Sequence, residues 1–104
     1  MKVLEDYRGR KIRLTDERLN HIREHPEIVG MLNEISRTLA DPQEVVQSLG
    51  DPEAHLYYRF YFGTRVGDKY FCVVVKVMGE DAFVLTAYLT DTIKKGEVLW
   101  HKKS

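Results

Sequence analysis

Three stretches decide the fold: Ala54-His55-Leu56-Tyr57-Tyr58-Arg59-Phe60-Tyr61-Phe62, Lys69-Tyr70-Phe71-Cys72-Val73-Val74-Val75-Lys76-Val77 and Ala82-Phe83-Val84-Leu85-Thr86-Ala87-Tyr88-Leu89-Thr90. All three are rich in aromatic and β-branched residues, which suit a pleated, half-buried surface. Gly63, Gly67, Gly79 and Glu80-Asp81 stand between them and punctuate hairpins. The pattern predicts three antiparallel strands. Val98-Leu99-Trp100, after Gly96, adds a short further strand, and Asp91–Lys95 reads as a helical turn before it.

Successive side chains of a strand point to opposite faces. Sorting the alternating positions by polarity gives one wholly apolar set: Leu56, Tyr58, Phe60 and Phe62, then Phe71, Val73, Val75 and Val77, then Phe83, Leu85, Ala87 and Leu89. This set is expected to pack on helices. The other set is mixed and brings Tyr57, Arg59, Lys76, Thr86 and Tyr88 to one side. Its plainer reading is a solvated sheet face. Its functional reading is a polar surface whose cations meet phosphates and whose tyrosines stack on unpaired bases.

Working back toward the N-terminus, Lys2-Val3-Leu4 and Lys11-Ile12-Arg13-Leu14 alternate around Asp6-Tyr7-Arg8-Gly9 and read as a hairpin. Thr15 can cap a helix that opens with Asp16 and Glu17 and runs to about Glu24. Pro26 disfavours helical geometry at His25 and can itself begin a second helix. Ile28, Met31, Leu32, Ile35 and Leu39 form the apolar stripe of that helix, and Asp41-Pro42 stops it. Val45-Val46 fits either a short strand or a helical turn. The expected class is α+β: a short N-terminal hairpin and two helices packed on one face of a three- to four-stranded antiparallel sheet, as a single domain over residues 1–104.

The chain has 104 residues, enough for one core. Its 16 basic and 16 acidic side chains cancel, which excludes a polycation that coats nucleic acid by charge alone. The cancellation is uneven. Residues 1–25 carry net +2, residues 26–53 net −5 and residues 54–104 net +3, so an anionic ligand is expected to approach the two basic ends. The lone cysteine, Cys72, sits in an apolar run and reads as a buried structural thiol. No apolar run approaches the length of a membrane span, and Glu5 and Asp6 stand where a signal peptide is apolar. A cytoplasmic protein with no membrane contact is expected.

His21 and His25, one helical turn apart, border the stripe made by Leu19 and Ile22, with Arg18 on the same side. Two imidazoles can supply a base and an acid at neutral pH. His21-Ile22-Arg23-Glu24-His25 also fits H-x-x-E-H, the inverted zincin pattern. Pro26 ends the helix at its last residue, and the inverted zincins are much larger proteins with a downstream acidic ligand in a second helix, so no metal is expected. His55 and His101 belong to no pattern and read as surface residues.

Taken in order, His21-x-x-x-His25-Pro26-Glu27, Leu39-Ala40-Asp41-Pro42, Val45-Val46, Tyr57-Tyr58-Arg59, Phe71 through Val77, Phe83-Val84-Leu85-Thr86-Ala87-Tyr88 and Lys94-Lys95-Gly96-Glu97-Val98-Leu99-Trp100 resemble the phage and mobile-element nucleases of the barnase–EndoU–colicin–RelE-like group. The likeness spans roughly residues 15–100 and rests on the order of the pieces. It implies a metal-independent, cofactor-free endoribonuclease, toxin-like or phage-borne, with an antitoxin or immunity protein as a possible partner. By position, the resemblance implies catalysis by His21 or His25, Arg59 or Lys76, and Thr86 or Tyr88. Single-stranded RNA would be held by Arg18, Tyr57, Arg59 and Lys76. A ribose 2′-OH would attack the adjacent phosphorus, leaving a 2′,3′-cyclic phosphate. The alternatives are a non-enzymatic RNA- or protein-binding module of the same fold, and a small metal-dependent hydrolase using the H-x-x-E-H pair.

Overall fold

The period-two stretches pair into one seven-stranded sheet in the computed structural model, which describes residues 1–103. The strands are β1 (Lys2–Glu5), β2 (Lys11–Leu14), β3 (Glu44–Ser48), β4 (Ala54–Thr64), β5 (Gly67–Met78), β6 (Asp81–Thr90) and β7 (Gly96–His101). Their order across the sheet is β1-β2-β6-β5-β4-β3-β7. Every pairing is antiparallel except β2 with β6, which run parallel at Arg13 and Phe83.

This corrects the expected three- to four-stranded antiparallel sheet with two packed helices. The fold is α+β, but the sheet is mixed and dominates, and the helices are three short pieces. The reason lies at the sheet's flanks. Ile12 and Leu14 need burial and find it by laying β2 beside β6, where Ile12 is wholly covered. Val45 and Val46 are both buried, one toward each face, so their segment is an inner strand between β4 and β7. Gly96 makes the β3–β7 join possible, because a Cβ there would lie 2.2 Å from the Gln47 carbonyl oxygen.

The helices lie on one face. The Thr15 hydroxyl accepts from the Arg18 amide at 3.2 Å and opens α1 (Asp16–Ile22). His25 is extended, as a residue before proline should be. The expected helix from Pro26 to Leu39 splits into a 3₁₀ turn over Pro26–Met31 and α2 (Glu34–Ala40). Val29-Gly30 is a weak helix-forming pair in the middle of that stretch. Ile28, Ile35 and Leu39 are buried, whereas Met31 and Leu32 are half-buried at the break. Asp91–Lys95 is irregular rather than helical. No helix is long and apolar enough to cross a membrane among the described residues.

The register also redistributes the side chains. Tyr58 pairs with Cys72, and Cys72 with Tyr88. Leu56, Tyr58, Phe60 and Phe62 therefore share the face of Tyr70, Cys72, Val74, Lys76, Thr86 and Tyr88, away from the helices. The helix-covered face takes Tyr57, Arg59 and Tyr61 with Phe71, Val73 and Val75. Two irregularities cause the exchange. The β4–β5 register shifts between Tyr61 and Thr64, and β6 bulges at Leu85, which moves Val84 and Ala82 onto the helix side.

Candidate nucleic-acid interface

The residues expected to act together do not meet. Arg59 and Lys76 lie on opposite faces of the sheet. Arg59 donates to the Asp41 carboxylate at 2.9 Å and to the Asp41 carbonyl at 2.7 Å, and its guanidinium lies 5.8 Å from the Tyr61 ring centre. Lys76 is held by Asp51 at 2.6 Å and Glu53 at 3.3 Å. Its contact with Asp51 raises the Lys76 pKa and lowers that of Asp51. Both cations therefore have carboxylate partners within the protein. Tyr57, expected to stack on bases, is buried and donates its hydroxyl to Asp6 at 2.7 Å.

The two histidines sit on the helix side, with ring centres 6.3 Å apart. His21 is exposed, and His25 lies 3.5 Å from Glu27. The sheet separates them from Lys76, Thr86 and Tyr88. Among the described residues no three His, Cys, Asp or Glu side chains come together as a metal-holding group, so H-x-x-E-H assembles no ligand set. Arg18 borders a hollow of about 290 Å³ with Arg13, Thr15, Glu17 and Phe83. Thr86 and Tyr88 are half-buried on the other face of the sheet. The Cys72 thiol lies against the Tyr58 and Tyr88 hydroxyls, and burial pushes its pKa up to about 11. Burial likewise raises both tyrosines, so all three groups stay protonated at neutral pH.

What the structure does assemble is a groove of about 610 Å³ on the face away from the helices. Its walls come from β4 and β5 on one side and from the start of β3 and the end of β7 on the other. Phe60, Phe62 and Tyr70 stand along one side, the Phe60 ring 5.0 Å from Phe62 and 4.9 Å from Tyr70, both edge-to-face. Phe62 is 81% exposed, so a ring lies open to solvent. Ile93 closes one end beside the buried cluster of Val46, Leu56, Tyr58 and Cys72, where the Lys94 amide donates to the Tyr58 hydroxyl at 3.1 Å. Gln43, Glu44, His101, Lys102 and Lys103 complete the lining.

In the groove, His101 Nδ1 lies 2.9 Å from Glu44 Oε1. A carboxylate at that distance favours the proton on Nδ1 and leaves Nε2 as the base. Lys102 pairs with Asp41 at 2.9 Å, which together with Arg59 holds the Asp41 carboxyl below its usual range. Asp41 thus ties the end of α2 to the end of β7. His101, read as a surface residue, and Glu44 are 57 positions apart, and no spacing pattern joins them. The signal that was present is charge. All six acidic residues of segment 26–53 lie within 4.0 Å of a basic side chain. Arg37, Arg59 and Lys76 pair with four of these carboxylates, and His25 and His101 stand beside the other two.

No protein-family model matches the chain, nor does any characterised protein or solved structure.

Proposed function

We propose that this chain is a metal-independent endoribonuclease that holds single-stranded RNA in the groove and cleaves it beside His101. The observation that carries this reading is the carboxylate-paired imidazole of His101 between a row of aromatic rings and the lysines Lys102 and Lys103. Stacking on Phe62 and its neighbours needs unpaired bases. The lysines meet phosphate, and a 2′-OH supplies a nucleophile already within the substrate. His101 Nε2 would take the 2′-OH proton as the oxygen attacks phosphorus. The departing 5′ oxygen would take a proton from His101 in turn or from water. Glu44 fixes the ring and stabilises the imidazolium. The likeness in segment order to the barnase–EndoU–colicin–RelE-like nucleases supports the same reaction class, with the chemistry moved from His21 and His25 to His101.

A second reading has its own observation. His101 is the one histidine in the groove, its side chain is 68% exposed, and the other nominated groups lie elsewhere. The groove could then bind RNA without cutting it. A labelled single-stranded RNA separates the two. Cleavage in EDTA to a 2′,3′-cyclic phosphate, lost by roughly 10²–10⁴-fold in His101→Ala, supports the nuclease. Binding without cleavage assigns a binding module. No binding of RNA by the folded chain removes both.

A further inference from the structure

A seven-stranded open sheet has two edges, here β1 and β7. An edge strand presents unpaired N–H and C=O groups to any extended chain of suitable sequence. The two edges differ. β1 is four residues long and is fenced by ion pairs, Lys11 with Glu5 at 2.6 Å and the Met1 amino group with Asp16 at 3.3 Å. β7 is six residues long, and Val98 and Leu99 are 54% and 38% exposed at its middle. Lys94 and Lys95 precede it, and Lys102 and Lys103 follow it. Among the described residues, only Lys102 of these four has a carboxylate within 4.0 Å.

We propose that the outer edge of β7 accepts an extended acidic segment of a partner protein as an added strand. Main-chain hydrogen bonds would supply the affinity common to such pairings, and the lysines at both ends would select the sequence. A second copy of this chain is a poor occupant. In an antiparallel β7–β7 pair, the leading lysines of one copy would face the trailing lysines of the other, and like charges placed opposite each other destabilise. The bulge at Leu99, between the Val98 and Trp100 pairings with β3, also guards against flat self-pairing. Against an acidic strand the same lysines attract. The exposed Val98 and Leu99 favour a peptide over a polyphosphate at the middle of the edge. His101 ends β7 and lines the groove, so an occupied edge would crowd the groove. The edge and its charges do not depend on RNA cleavage.

The test titrates the full chain with a labelled alternating Glu-Val peptide long enough to span β7, and follows amide exchange alongside. Saturable binding, slowed exchange of the β7 amides, and affinity about tenfold above an oligoglutamate of equal length support strand addition. The exposed pair Lys94→Glu with Lys95→Glu should fold normally and weaken the peptide by about tenfold. Absence of saturable binding overturns the proposal. So does equal binding of oligoglutamate, protection that appears at β1 instead, or protection of β7 by an RNA oligonucleotide but not by the peptide.

Discussion

The two faces of the sheet are built from the same kinds of residue and do different work. On the helix side, Phe71, Val73 and Tyr57 are sealed under α1 and α2. The Thr38 and Tyr61 hydroxyls are buried there without a partner, while other polar groups are bonded inside the protein. Asp6 is the clearest case: its carboxylate is buried and accepts from the Arg8 and Arg10 amides at 2.9 Å each and from the Tyr57 hydroxyl. On the other side, Leu56, Tyr58 and Cys72 are equally buried, yet Phe60, Phe62 and Tyr70 in the same plane of the sheet border open solvent. Cover makes the difference. A helical layer spans the first face, and the single irregular segment around Ile93 spans part of the second.

If that contrast is right, aromatic truncations should separate cleanly. Phe71→Ala removes a ring that is wholly enclosed, and it should cost about 3–5 kcal/mol of stability. Chemical denaturation measures this, and a loss near that of an exposed position would break the comparison. Asp6→Ala, next in size, leaves three donors without an acceptor on the covered face and should cost roughly 3 kcal/mol. Tyr57→Phe removes one bond to the same carboxylate and should cost about 1 kcal/mol.

Phe62→Ala should behave in the opposite way. Its ring is exposed, so stability should change by no more than about 0.5 kcal/mol. Single-stranded RNA should bind more weakly by about 1–3 kcal/mol. Fluorescence anisotropy beside a thermal melt reads both quantities. Unchanged RNA affinity would take the stacking role from the aromatic row, and a large loss of stability would show that the ring is covered.

The long strands were legible in the sequence, whereas β3, the joining of all seven strands into one sheet and the assignment of faces were not. Alternation and glycine placed the long strands from Ala54 to Thr90 within a few residues, and Thr15 marked the start of α1. Polarity sorting failed because both faces bury apolar side chains near the middle of the sheet. An all-apolar set is then no guide to which face meets helices. The phase between strands depends on the irregular turn between Tyr61 and Thr64 and on the bulge at Leu85, and no period in the chain records either. The groove was hidden for a related reason. Its polar side joins Gln43 and Glu44, at the start of β3, to His101, Lys102 and Lys103, through the β3–β7 pairing of two short strands. Lys94-Lys95 and Lys102-Lys103 were visible as charge, but the strand between them gave no sign of lying at an edge.

The smallest expected effect is a pH dependence that belongs to the covered face. His55 is half-buried on that side, opposite Val75, and its pKa is lowered from 6.5, chiefly by burial and further by Arg10, with Asp6 acting against both. A histidine depressed in the folded state binds its proton more readily when unfolded. Between the folded and unfolded values, the unfolded chain holds more protons, so stability falls as pH drops. The contribution of His55 should therefore be complete above about pH 6.5 and decline below it. Asp41 and Asp51, whose carboxyls are lowered by Lys102 and Lys76, lose their contributions only in the acid range below the usual carboxylate values. The two windows are separate, and the variant His55→Gln isolates the first. Wild type should lose stability relative to this variant as pH falls from 7 toward 5, with the difference constant above 7. A difference that stays flat through that range would show that His55 is as well hydrated as a residue on the open face.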